Sequence, residues 1–476
     1  MFKRWIMVTT CIGVIGAIAL TFLLSRQPKF NAAPEGPYNV LLITLDTTRA
    51  DRLGCYGYIK GTSPNLDALA RDGVRFDNCV SASAVTPMSH ASILTGLYPH
   101  QHGLRVFYGQ TGYYLPKSVP TLAGILRQHG WHTAAFVSAY PVSRRFGLDS
   151  GFDVFKSEVA DSVMQRDPAK RGLRDGRWER KRQGAAQRRA DATTDQALEW
   201  LHDVDGPFLL WVHYFDPHDE SLIPPKEITE RFHVLPSTPT APLDIYDAEV
   251  FFMDQQFGRL IDFLKETGQY GRTVIAVIAD HGQGLGDHEW FQHRILYQEQ
   301  VRLPFILHMP GGRRDAAVSA VVRSIDLLPT VLEAVDVEAP ASLEGETLVP
   351  LMAGEDGPQR SALAESLNTL DAHANSRRRD WSLPECLQDD LFCVVAMPWK
   401  LILHRLSPSN SELYNLNDDP SELRNVIENY PAVAERLTAQ LEASGMMHIQ
   451  IEDPEAPMDD DTADKLRALG YLPSDE

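Results

Sequence analysis

Three long apolar runs in this chain end in acid and histidine, and they limit the folds open to it. They are YNVLLITLD (Tyr38 to Asp46), FLLWVHYFDPH (Phe208 to His218) and TVIAVIADHG (Thr273 to Gly282). A short, nearly continuous apolar run reads as a strand buried on both faces, as in the middle of a parallel sheet. Helical patterns stand between such runs. SPNLDALARDGVRF (Ser63 to Phe76) opens on a capping serine and returns to a strand. VPTLAGILRQHGWHTAAFVS predicts a helix over Thr121–Gln128, a stop at Gly130 and a strand over Thr133–Ser138. A helix from about Tyr246 to Lys265 leads into the run that ends at Asp280. Alternation of this kind predicts an α/β fold, a mostly parallel sheet sandwiched by helices.

Such sheets bind ligands beyond the carboxyl ends of their strands. Asp46, Asp216, His218, Asp280 and His281 all fall there, after three separate strands. Solvated loops explain this poorly; a shared metal or anion site explains it well. The stretch VTPMSHASILTGLYPHQHG (Val85 to Gly103) adds hydroxyls and imidazoles where a helix begins. Thr86 or Ser89 could cap that helix. A nucleophile could equally sit there, because free N–H groups and the helix dipole favour an anion.

Charge and composition narrow the partners. The net charge of −19 over 476 residues argues against nucleic acid. One basic stretch runs from Arg166 to Arg189 and reads as a solvated loop or an anion-attracting rim. The first thirty residues stand apart: Lys3 and Arg4 precede an apolar run from Trp5 to Leu24, about the length needed to span a bilayer. The run ends in Ser25-Arg26-Gln27 without a small-x-small site, which favours an uncleaved signal-anchor over a cleaved signal peptide. Either way the bulk of the chain is expected outside the cytoplasm, in a periplasmic or extracellular setting and held to the membrane by that segment. An oxidising compartment permits disulfides; Cys386 and Cys393, in a loop-like stretch, are the first candidate pair, with Cys55 and Cys79 readable as buried thiols. After Pro340 the pattern becomes antiparallel strands with an amphipathic helix near Pro431–Ala443. The expected organisation is a signal-anchor at 1–30, a catalytic domain at 37–338, a small α+β subdomain at 339–450 and an acidic, partly disordered tail at 451–476.

Taken together, NVLLITLDTTRADRLGCYGY, TSPNLDALARDGVRFDN, TPMSHASILTGLYPHQHG, HYFDPH, YDAEVFFMDQQFGRLIDFL, ADHGQGLGDHEWFQHRILYQEQVRLPFILHMPG and SIDLLPTVLEA resemble the sulfatases of the alkaline phosphatase superfamily. The blocks occur in the family's order from Tyr38 to Leu332, and ELYNLNDDPSELRNV resembles its C-terminal subdomain. The resemblance implies an alkaline-phosphatase-like fold and a metal-dependent ester hydrolase. Asp46, Asp280, His281 and the oxygen of Thr86 would surround the metal, and Thr86 falls at the nucleophile position. His218 matches a substrate-contacting histidine. His293 stands where a lysine usually touches the ester, able to bind an oxygen or to protonate the leaving group near neutral pH. His90 takes a position where many sulfatases have arginine, and is a fourth catalytic candidate after Thr86, His293 and His218. His213, Asp216 and His288 could touch substrate, orient ligands or form part of a second metal site.

The departures from the family decide the expected reaction. Sulfatases convert a cysteine or serine in a C/S-x-P-x-R segment to formylglycine, whose hydrate supplies a second hydroxyl that expels sulfate. Thr86-Pro87-Met88-Ser89-His90 has neither the convertible residue nor the arginine. The family's GKWH-like strand is replaced by AAFVSAY. The Asp–Thr–Asp–His set is similar to that of phosphoethanolamine transferases and lipoteichoic acid synthases. The expected activity is therefore hydrolysis of phosphoesters or phosphodiesters, or of sulfate esters, through Thr86. A phospho-group transferase and a formylglycine-independent sulfatase are the alternatives. Two carboxylates, a hydroxyl and an imidazole favour Mn²⁺ or Zn²⁺, with Ca²⁺ or Mg²⁺ possible. The substrate would be a small-molecule, glycan or lipid anionic ester, selected by Ala160–Ala186, Asp219–Asp244 and Asn368–Cys393.

Overall fold

A computed structural model describes residues 37–106, 114–157, 187–218, 222–234, 241–369 and 388–449. The described residues all belong to one compact unit. The proposed signal-anchor, the acidic tail and most of the basic stretch lie outside the described residues. Among the described residues no helix is long and apolar enough to cross a membrane.

Eight strands form the main sheet: β1 (Asn39–Leu45), β2 (Val74–Val80), β3 (His132–Val137), β4 (Val154–Lys156), β5 (Phe208–Tyr214), β6 (Thr273–Ala279), β7 (Arg302–His308) and β8 (Ala316–Arg323). Their order is β4-β3-β5-β1-β6-β7-β2-β8, with β1, β5 and β6 in the middle. Only β7 runs against its neighbours; every other adjacent pair is parallel. The three central runs are buried at every residue, as their apolar continuity predicts.

Helices cover the sheet in two sets. Those used below are α1 (Pro64–Arg71), α2 (Thr86–Thr95), α3 (Leu122–Gln128), α4 (Ala190–Asp203), α5 (Ala241–Glu266), α6 (Leu327–Ala334) and α7 (Pro431–Ser444). α5 packs on α1 and α4, while α2 packs on α3 and α6. Thr121 caps α3 through the Gly124 N–H. Ser63 does not cap α1: its hydroxyl accepts from Gly54 N–H and faces Asp67. Asp254 of α5 takes that task, accepting from the N–H groups of Asn65 and Leu66 at 3.0 and 2.8 Å.

A second, antiparallel sheet has the order β12-β11-β10-β9, from β9 (Ala362–Leu367), β10 (Asp390–Ala396), β11 (Trp399–His404) and β12 (Glu412–Asn415). α7 packs on β10 and β11. Leu348, Leu351 and Met352 belong to the core of the main sheet, so part of the segment assigned to the second subdomain packs with the first. The two sheets meet at Glu365, whose carboxylate takes Arg105 at 2.6 Å and whose N–H reaches Ala82 O. Cys393 is a free, buried thiol in β10 rather than a loop cysteine, and Cys386 lies outside the described residues. Cys55 and Cys79 are also free.

Candidate functional site

The register of β1 between β5 and β6 brings the strand ends level. Leu45 pairs with Tyr214 on one side and Ala279 on the other, so Asp46 and Asp280 leave adjacent strands together. Both carboxylates are fully buried. Each has one oxygen held and one left over. Asp46 Oδ2 faces His213 Nε2 at 3.1 Å, whereas its Oδ1 has no hydrogen-bond partner. Asp280 Oδ1 accepts from the N–H groups of Thr47 and His281 at 3.1 and 2.7 Å, whereas its Oδ2 has none. Burial, and then the charge of Asp280, push the Asp46 carboxyl well above the ordinary range. Burial does the same to Asp280.

Neighbouring hydrogen bonds fix the protons on the surrounding imidazoles, since a carbonyl oxygen only accepts and a backbone N–H only donates. His281 Nδ1–H donates to Gly282 O at 2.9 Å. Its Nε2 lone pair is left pointing into the site, 3.2 Å from Thr86 Oγ1 and 3.3 Å from Asp280 Oδ2. His90 Nδ1–H donates to Thr86 O at 2.9 Å, and its Nε2 accepts from the Thr44 hydroxyl at 3.1 Å. Trp211 Nε1–H in turn donates to Thr44 Oγ1 at 2.9 Å. His90 therefore offers a proton, not a lone pair, toward the carboxylates, although Asp46, His90 and Asp280 lie close enough to share an ion. His293 Nδ1–H donates to Ala84 O at 3.0 Å, leaving its Nε2 lone pair 3.3 Å from His218 Nε2. His218 stacks on Phe215, with ring centres 4.2 Å apart.

Burial favours the neutral form of His90, His213, His281 and His293. It pushes His90 down to about 4 and His281 to about 3. His213 and His293 also fall well below the usual histidine value, first by burial and then by their neighbours. This corrects the expectation that His293 titrates near neutral pH in the free site. Two buried carboxyl groups thus lie beside each other and beside the neutral His90, His213 and His281, with an oxygen on each that lacks a hydrogen-bond partner. A divalent cation bound there would supply the missing charge. Asp46 Oδ1 and Asp280 Oδ2 are the atoms the geometry leaves open to it, with His281 Nε2 and the Thr86 hydroxyl, 3.2 Å apart, beside them.

Thr86 is the first residue of α2, all ten residues of which are buried. Its hydroxyl lies at the helix N-terminus, where first-turn N–H groups have no intrahelical acceptor. Ser81 and Ser89 hydroxyls both donate to Asp280 O, at 2.5 and 2.6 Å, tying the helix start to the strand end.

Two expected residues lie elsewhere. Asp216 accepts from Ala190 N–H at 2.9 and 3.1 Å and so caps α4. His288 faces Glu299 Oε1 and Glu422 O instead of the carboxylates. His213 stands behind Asp46 as an orienting group. Sequence reasoning missed Thr47, Thr44 and Arg294. Thr47 has a left-handed backbone (φ 51°) and a buried hydroxyl without a hydrogen-bond partner. Burial and then neighbouring imidazoles lower His281 and His293, and the Arg294 charge adds a smaller push in the same direction. Position next to Asp46 and His293 was the only sequence signal for Thr47 and Arg294.

A mostly parallel sheet between helices, with an acid–hydroxyl–acid–histidine cluster at its strand ends, defines an alkaline-phosphatase-like ester hydrolase. The sulfatase family model matches residues 38–337, and the model for the C-terminal part of N-sulphoglucosamine sulphohydrolase matches 286–446. The chain belongs to the sulfatase family. It is 22% identical to N-acetylglucosamine-6-O-sulfatase of Bacteroides thetaiotaomicron, over 88% of this chain and 87% of that protein. A structure solved with its substrate D-glucosamine-2-N,6-O-disulfate aligns at TM-score 0.67 and 20% identity, covering 86% of this chain and 98% of the other. The phosphonate monoester hydrolase of Agrobacterium radiobacter aligns at TM-score 0.67 and 21% identity, covering 87% and 96%.

Proposed function

We propose that this chain is an exported, membrane-anchored hydrolase that opens phosphoesters or phosphodiesters through Thr86, with a divalent cation held by Asp46, Asp280, His281 and Thr86. Mn²⁺ or Zn²⁺ suits a donor set that includes an imidazole lone pair. The observation that carries the reading is the position of Thr86 Oγ1, 3.2 Å from His281 Nε2 and at a helix N-terminus. When bound, the cation makes the threonine alkoxide accessible and offsets charge on the ester.

Thr86, reacting as the alkoxide after losing its proton to solvent, forms an Oγ1–P bond as the bond to the alcohol breaks. First-turn N–H groups of α2 face the non-bridging oxygens. The His218 Nε2–H, which faces His293 Nε2 at 3.3 Å, is placed to hydrogen-bond the departing oxygen, which takes its proton from solvent. Water then attacks phosphorus in line and gives up its proton to solvent as the P–Oγ1 bond breaks, so Thr86 Oγ1 recovers a proton and phosphate leaves. Threonine has no second hydroxyl with which to eject sulfate from carbon. That favours phosphorus over sulfur as the centre attacked, and the likeness to a phosphonate monoester hydrolase agrees; the likeness to named sulfatases supports a sulfate ester as the alternative. The sulfated-sugar neighbours support an anionic glycan ester as the broader substrate class. The N-terminal apolar run supports the membrane anchor.

The test compares 4-nitrophenyl phosphate, bis(4-nitrophenyl) phosphate and 4-nitrophenyl sulfate on the metal-loaded protein. A phosphorus ester should turn over faster, and Thr86→Ala should lose about 10³-fold or more. Mass spectrometry of quenched turnover should find phosphate on Thr86. Faster sulfate turnover by more than about tenfold, ~1.4 kcal/mol of barrier, overturns the phosphorus preference; full activity in Thr86→Ala overturns the nucleophile.

A further inference from the structure

His293 enters the site on a loop that needs external support. Between Leu285 and Arg294 four residues other than glycine adopt positive φ: Leu285, His288, Glu289 and Arg294, at 54, 49, 57 and 89°. Such conformations are unfavourable for side-chain-bearing residues and persist where surrounding contacts over-determine them. The loop folds back on itself, with Gly284 N–H donating to Gln292 O and Gly286 N–H to Trp290 O. Trp290 Nε1–H then donates to His293 O at 2.9 Å. A side chain at Gly284 would strike Trp290 O, which is 2.1 Å from where its Cβ would sit. One flank is pinned by Arg49, which donates to the carbonyls of Gln283 and Gly284 and pairs with Asp287 at 2.7 Å.

The other flank is pinned by His288. Its Nδ1 lies 3.0 Å from Glu299 Oε1, and its Nε2 lies 3.2 Å from Glu422 O. An ionised carboxylate and a carbonyl both only accept, so both hydrogen bonds need protons on both ring nitrogens. The ring also stacks flat on Tyr297, at 3.7 Å and 2°. We propose that His288, held as an imidazolium between Glu299 and the backbone of Glu422, is a positioning residue that fixes the loop presenting His293. The inference rests on the proposed role of His293 in the reaction, but its structural part stands apart from that role.

The surroundings are consistent with the charge. Burial opposes it, and Glu299 and then Glu422 favour it, with the balance above the ordinary histidine value. The Glu422 side chain is paired with Lys400 at 2.7 Å. The Tyr297 hydroxyl donates to Glu412, Asp287 is paired with Arg49, and Glu289 follows in the loop. A proton bound more tightly than usual gives a latch that is closed below the ordinary histidine pKa and opens as pH rises through the raised one.

Histidine C2 hydrogen exchange, read by mass spectrometry on the whole protein, tests this residue by residue. In the wild type the His288 midpoint should lie above 6.5, and in Glu299→Gln it should fall. Backbone exchange of residues 284–294, relative to β6, should accelerate across the wild-type midpoint. With 4-nitrophenyl phosphate as probe, kcat should drop about tenfold or more over that window while KM holds. His288→Gln should show the low kcat at every pH. The proposal is overturned by a midpoint at or below 6.5, by a midpoint unmoved in Glu299→Gln, or by loop exchange indifferent to it. Because both exchange readouts are independent of turnover, a failed Thr86 assignment would leave them intact.

Discussion

His213 Nε2–H donates to Asp46 Oδ2 at 3.1 Å while its Nδ1 accepts from Ser138 N–H at 3.2 Å. The two contacts set the tautomer and aim the other Asp46 oxygen at the cation site. A group that holds a ligand in this way tunes metal affinity more than it builds the fold. His213→Ala should weaken binding of Mn²⁺ or Zn²⁺ by roughly 10- to 100-fold. His213→Gln, which can keep a donor, should lose less. Calorimetric metal titration alongside thermal melting separates lost affinity from lost structure.

Metal removal should change how stability depends on pH. Asp46 and Asp280 both hold their protons more tightly in the folded state than a free carboxyl does. Folding of the metal-free protein therefore takes up protons, and stability is lost as pH rises from about 4 through their raised values. The chelated protein should melt at higher temperature in mild acid than at neutral pH, once corrected for other carboxyls. Added Mn²⁺ or Zn²⁺ should restore most stability at neutral pH, where it replaces the missing charge. Differential scanning calorimetry with and without chelator reads both effects.

Much of this arrangement was legible in the chain. The apolar runs gave β1, β5 and β6 because strands buried on both faces leave no polar positions, and their ends placed Asp46, Asp280 and His281 at one edge. The chain from Trp211 through Thr44 to His90 was not legible. It depends on Thr44 lying opposite His213 in the β1–β5 register, a relationship between strands far apart in sequence. Asp216 and His288 read as site residues because of what they are and what they follow. The short turn at Asp216–His218 sends the aspartate back to α4 and the histidine forward to His293. Left-handed residues in the loop after Asp280 turn His288 toward Glu422, and such turns leave little trace in composition.

Asp216 should behave as a helix cap. Burial pushes its carboxyl up to about 7, partly offset by the Ala190 N–H. The wild type should lose stability from this group as pH rises from about 4 to about 7. Asp216→Asn keeps an acceptor without a charge, so it should lack that part of the pH dependence. Asp216→Ala should cost about 1 kcal/mol. Neither should change metal affinity. Urea melts at several pH values, paired with metal titration, check all three statements.

Lys400 and Glu422 form an ion pair at 2.7 Å with both side chains excluded from solvent. Glu422 Oε2 also accepts from Gln298 N–H at 2.5 Å, and its backbone carbonyl meets His288. Removing one partner of a buried pair leaves an uncompensated charge, so Lys400→Ala should cost about 3–5 kcal/mol in denaturant unfolding. Lys400→Met combined with Glu422→Gln removes both charges and keeps the volume, so it should cost much less. The glutamine can no longer be repelled by Glu299 or attract a cation, but the backbone carbonyl at position 422 stays. The double variant should therefore retain the His288 contact and most of the turnover. A double variant as unstable as Lys400→Ala would show that packing, not unpaired charge, sets the cost at this position.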